Sequence, residues 1–205
     1  MTRGVFYTLL LVVLKQVICQ SETSADQYEE RVQSLANEIQ RVVVSESTRI
    51  ALAKDAMGET VNEAVESIEK ELVELHEIAD AIKRRSRNEF CSRTITLINN
   101  ISVDSLRACD YSSKFDDPNR MVEKVAKLYS VLNSVTQACE LVENEEADCI
   151  NQLLVGIEHA TLGLTEQIKN AIAGISKLYL DCIQANLAAI DEVLENLGHR
   201  VQQCV

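Results

Sequence analysis

The chain has 205 residues, of which 46 % are hydrophobic but only 4 % aromatic, and a formal net charge of −12. That hydrophobic content excludes wholesale disorder. The acidic balance argues against a nucleic-acid binder, whose affinity rests on neutralising phosphates, and against electrostatic attachment to anionic membranes. There is no Trp, one Pro (Pro118) and six Gly, so the core must be aliphatic and turns must be few. This favours long helices over a many-stranded sandwich, and the length suits one domain with or without an extended arm.

Residues 1–19 read as a secretory signal. Arg3 supplies a positive end, residues 5–14 are a short apolar run, and Val17, Ile18 and Cys19 precede Gln20. The run is about half of what spans a bilayer, so no membrane anchor is expected. Removing the signal takes Arg3 and Lys15 with it and leaves 18 basic against 32 acidic residues, a net of −14. Such a charge favours solubility in an extracellular fluid.

Residues 20–87 read as a helical arm without cysteines. Ser24 and Gln27 fit a capping box, and Tyr28, Val32, Leu35, Ile39 and Val42 recur on one helical face. Gly58 interrupts, Thr60 and Glu63 form a second box, and the ladder resumes as Val61, Val65, Ile68, Leu72, Leu75, Ala79 and Ile82. The two ladders are out of register. The expectation is therefore two helices, or one broken helix, over residues 24–56 and 60–83, with coiled-coil-like spacing.

Residues 88–205 hold the six remaining cysteines and again read as helix. Short helices are expected over 88–99 and 102–111, joined at Asn99-Asn100, then a polar loop over 112–117. Asp117 is a fitting N-cap with Pro118 at the first helical position. Met121, Val125, Leu128, Leu132, Val135, Cys139 and Val142 share a stripe. Asn144 can cap the next helix, with Glu145 and Glu146 favourable at its start. Helical spacing then continues from Ile150 to Val201, with Gly163 or Gly174 as possible breaks. The fold class expected is all-α, a disulfide-stapled helical bundle with an N-terminal arm.

Cys91, Cys109, Cys139, Cys149, Cys182 and Cys204 are even in number, which in an exported chain implies three disulfides. Cys139 and Cys149 would lie ~15 Å apart on one continuous helix, whereas a bridge needs Cα atoms within about 7 Å. They can pair only across a turn, and Asn144 lies midway. Cys91 and Cys109 are placed likewise about Asn100. The favoured set is therefore Cys91–Cys109, Cys139–Cys149 and, by remainder, Cys182–Cys204. The last pair needs a turn inside residues 186–197, which read as helix. Cys109–Cys182 and Cys91–Cys204 across neighbouring helices compete with this set. No C-x-x-C or H-x-x-x-H spacing supports a metal site instead.

Asn100-Ile101-Ser102 is the one glycosylation sequon. The cluster from Lys83 to Arg87 can interact with a helix dipole at its C-terminus. Its Arg84-x-x-Arg87 pattern also suits a processing protease at the boundary of arm and cysteine domain. Glu140, Glu143, Glu145, Glu146 and Asp148 crowd one turn but lack a calcium-loop pattern, so a solvated acidic turn is the reading. His76, His159 and His199 form no recognisable catalytic arrangement, and no nucleophile or phosphate-loop motif is present. No catalysis, metal or cofactor is expected.

The cysteine segment is about 115 residues long, nearly all helical, with a first pair bracketing a short helix, Cys139 and Cys149 in its middle, and a final Cys182-x21-Cys204 spacing. In this it resembles the tsetse EP-type domain of secreted insect proteins, over roughly residues 88–205. It departs from that family in lacking aromatic and Ser-rich stretches. The resemblance implies an extracellular, non-enzymatic arthropod protein of gut, saliva or reproductive fluid, and supplies no functional residues.

Two functions are thus expected in competition. One is an interaction protein, self-associating or binding a partner helix through the ladder of the arm. The other is a carrier of an apolar small molecule or lipid in a helical cavity.

Overall fold

A computed structural model describes residues 3–85, 88–139 and 146–204, with side chains for most of the chain from Gln27 onward. The protein is all-α and stapled by three disulfides, and no strand occurs among the described residues. Among the described residues six α-helices follow in order: α1 (Arg3–Arg85), α2 (Glu89–Asn99), α3 (Asp104–Arg107), α4 (Asp116–Asn133), α5 (Val135–Cys139) and α6 (Glu146–Gln202). The side chains of the expected leader, residues 1–19, lie outside the described residues, as does the cap expected at Asn144.

The first helix does not break at Gly58. Thr60, expected to cap a new helix, instead donates its hydroxyl to the carbonyl of Ala56 at 2.9 Å, a bond made within a continuing helix. A glycine there costs about 1 kcal/mol relative to Ala, which the packing on either side offsets. The same holds for Gly163 and Gly174 in α6, which runs unbroken past both.

The chain divides into two compact units, Met1–Ser47 with Arg120–Ile168, and Thr48–Asn119 with Lys169–Val205. Each contains part of the helical arm expected over residues 20–87. Within the second unit the α1 ladder is buried against cysteine-bearing segments.

In the first unit, Leu35, Ala36 and Ile39 of α1 are buried, as are Val122, Val125 and Leu132 of α4 and Ile150, Leu154 and Ile157 of α6. Arg31 reaches α6 through Asn151 at 2.9 Å and through a long, exposed ion pair to Glu158 at 3.9 Å. Asn151 donates in turn to the Tyr28 hydroxyl at 3.3 Å. Thr161, almost fully buried, satisfies its hydroxyl on the Ile157 carbonyl at 2.8 Å.

The second unit shows how its three stretches run. Val65, Ile68 and Leu72 of α1 share a core with Val103, Leu106 and Cys109 and with Tyr179, Ile183 and Ile190 of α6. A neighbouring cluster joins Ala79 and Ile82 to Cys91, Ile98, Leu197 and Val201. Higher α1 numbers meet higher α6 numbers, so these helices run parallel. The stretch from α2 to Phe115 returns between them in the opposite direction: Ile98 lies with Leu197, and Cys109 with Ile183.

That direction decides the disulfides. The bridges are Cys91–Cys204, Cys109–Cys182 and Cys139–Cys149. The expected Cys91–Cys109 and Cys182–Cys204 pairs do not form. On a continuous α6, Cys182 and Cys204 are ~33 Å apart, far beyond disulfide reach. Each pairs instead with the antiparallel stretch beside it, so the three bridges are nested. The third is the pair expected across a turn.

Local signals place the returning stretch. Asn88 caps α2 by accepting from the Phe90 N–H at 3.0 Å. Ser102 accepts from the Asp104 N–H at 3.0 Å and starts α3, a single turn where a longer helix was expected. The expected polar loop is a 3₁₀ turn, Ser112–Phe115, whose Phe115 is fully buried. Helix α4 starts at Asp116, one residue before the expected cap Asp117, and keeps Pro118 in its first turn, where a missing N–H costs no helical bond.

Candidate functional site

The second unit carries a half-enclosed cleft of about 380 Å³. One wall is a turn of α1 bearing Lys54, Met57, Gly58 and Val61. The other is the chain from Arg107 to Phe115, and Tyr179 of α6 closes the base. Tyr111 and Tyr179 meet edge to face, with ring centroids 6.5 Å apart, the arrangement that ring quadrupoles favour. Tyr179 is buried and donates its hydroxyl to the carbonyl of Met57. This bond ties α6 to α1 and satisfies a phenol that would otherwise be costly to bury. Burial pushes the Tyr179 phenol above the usual range.

The polar groups of the cleft are largely spoken for. The Lys54 ammonium sits 5.5 Å from the centroid of the Phe115 ring. Arg107 pairs with Glu69 at 3.1 Å and lies 3.8 Å from Asp104. The Asp110 carboxylate accepts the Ser112 N–H at 2.8 Å, and hydrogen bonds from Ser112 hold it below its ordinary value. The inner surface left to a ligand is apolar and aromatic. Gly58 lines the cleft, and a Cβ there would meet nothing within 4 Å.

None of these residues is a site that sequence reasoning singled out. The available signal was aromatic scarcity: the chain has five Tyr and three Phe, and Tyr111, Phe115 and Tyr179 converge on one cleft.

The sequence-predicted sites lie elsewhere. Asn100 is exposed at the C-terminal cap of α2. Arg84 is exposed in the last turn of α1, donating to the Asp80 carbonyl at 3.2 Å, whereas Arg87 lies outside the described residues. Glu140, Glu143 and Glu145 also lie outside them, and Asp148 is exposed. A ring nitrogen of His76 bonds the Leu72 carbonyl at 2.6 Å, within its own helix. His159 and His199 are exposed. Among the described residues no group of three or more His, Cys, Asp or Glu is placed to hold a metal. Among the described residues, too, no helix is long and apolar enough to cross a membrane.

Compared with protein-family profiles, curated proteins and solved structures, the chain matches none.

Proposed function

We propose that this chain is an extracellular, non-catalytic binding protein that carries a small apolar, ring-bearing molecule in the cleft of its second unit. The observation that carries this reading is the cleft itself. Its volume falls in the range of small-molecule sites, roughly 300–1,000 Å³, and its faces are Met57, Val61, Tyr111 and Tyr179. Three disulfides support an oxidising compartment, and the signal-like residues 1–19 support export. The likeness to tsetse EP-type domains would make the setting an arthropod gut, saliva or reproductive fluid.

A naphthylamine probe whose fluorescence rises in apolar sites, titrated into the full chain, tests the reading. Gly58→Leu places a side chain in the cleft without meeting a neighbour at its Cβ. It is expected to weaken the probe by about ten-fold or more without lowering the melting temperature, since Leu is the better helix former. Unaltered probe binding in that variant, together with no small-molecule mass on protein purified from its natural source, overturns the reading.

The competing reading is an interaction protein that self-associates or binds a partner. The ladder first expected to carry it is consumed in the two cores, where Leu35, Ile39, Val65, Ile68 and Leu72 are buried. The exposed apolar residues Leu52 and Leu178 favour it instead. Light scattering separates the two readings: a concentration-dependent dimer weakened by Leu52→Lys and Leu178→Lys would support interaction.

A further inference from the structure

A second groove of about 590 Å³ lies where the end of α2 faces the last turns of α6. Its apolar surface comes from Leu97, Ile101, Val193 and Leu197. Leu97 and Val193 are each 45 % exposed, so two large aliphatic side chains stand open to water. Asn100, the acceptor residue of the sequon, forms part of the same rim. It ends α2 with its backbone N–H bonded to the Leu97 carbonyl at 3.1 Å, which fixes the backbone from which its side chain departs. The hydroxyl residue of the sequon, Ser102, also lines the groove and is exposed.

We infer that Asn100 carries an N-linked glycan whose first sugars lie in this groove and cover Leu97 and Val193. The occupant is specified by its attachment: a sugar bonded to the Asn100 side chain begins at the edge of the groove. Its chemistry also fits. An acetylated hexosamine has an apolar face and an acetyl methyl to set against aliphatic side chains, and an edge of hydroxyls to set against polar ones. Asn186 and Asn196 line the groove. Each spends its amide N–H on the carbonyl four residues earlier, at 2.9 Å, which leaves side-chain oxygens as acceptors for sugar hydroxyls. Arg200, poised 5.7 Å from the Phe90 ring, adds donors from the far end. The groove is of a size that holds small organic groups, roughly 300–1,000 Å³. The inference requires passage through a secretory pathway and is independent of what the aromatic cleft binds.

The full chain, secreted from insect cells behind its own leader or a substituted one, is the test material. Intact mass before and after enzymatic removal of N-glycans is expected to place one glycan on Asn100. It should be absent in Asn100→Gln and kept in Ser102→Thr. Removing the glycan from folded protein is expected to speed amide exchange over residues 97–101 and 189–200 by about three-fold or more, through loss of local protection. It should also raise binding of an apolar dye, with α1 residues 61–72 unchanged. A secreted protein bare at Asn100 overturns the inference. So does a glycan whose removal leaves exchange and dye binding as they were, since that glycan points into water. The enzymatic arm keeps the test decisive should Asn100→Gln fail to fold.

Discussion

Removing the outermost bridge, by Cys91→Ser with Cys204→Ser, is the perturbation that most directly probes this architecture. The bridge spans 113 residues, and on the chain-entropy relation a loop of that length taken alone corresponds to ~4.8 kcal/mol. The Cys109–Cys182 bridge already closes 73 of those residues, so about 40 remain for the outer bridge to restrict, which lowers its share to ~4 kcal/mol. In a chain of this size that is a fall of about 8–16 °C in melting temperature. Denaturant unfolding of the variant against the parent measures it. Amide exchange should show the loss concentrated in α2 and the last turns of α6, where Cys91, Ile98, Leu197 and Val201 share a cluster. A loss under about 1 kcal/mol would refute the nested arrangement. So would peptide mapping of unreduced protein that links Cys91 to Cys109, because that pairing requires the returning stretch to double back on itself.

Three smaller perturbations probe α1, the core of the second unit and the buried Tyr179. Gly58→Ala is expected to raise stability by up to about 1 kcal/mol, as for an exposed helix interior; a clear loss on calorimetry would mean that the helix does not continue there. Leu106→Ala, at a fully buried position between α1 and α6, should cost about 2–5 kcal/mol in denaturant unfolding. Burial raises the Tyr179 pKa in the folded state, so its contribution is present below the unfolded phenol value of about 10 and is lost as pH rises through the higher folded value. Ultraviolet titration should find one late-titrating phenol that Tyr179→Phe removes, and titration at the ordinary value would contradict its burial.

The helical class was legible because its signals are local. Val65, Ile68 and Leu72 recur at helical spacing, and their burial follows from that spacing once any partner is present. Cys139–Cys149 was legible for the same reason: ten residues on a helix cannot be bridged, so a turn was required. Gly58 misled because a local cost of about 1 kcal/mol is small against the burial of apolar stripes on either side.

The chain by itself determined an acidic, aliphatic, helical protein with six pairable cysteines outside the leader-like segment, since each property depends on composition or on neighbours a few residues away. Tertiary structure alone decided how Cys91, Cys109, Cys182 and Cys204 pair and where the aromatic cleft lies. Both depend on the parallel course of α1 and α6 with the returning stretch between them. That course brings together residues as distant in sequence as Met57 and Tyr179, or Cys91 and Cys204. Spacing along one helix carries no record of such a juxtaposition, because it arises from how separate apolar stripes share a core.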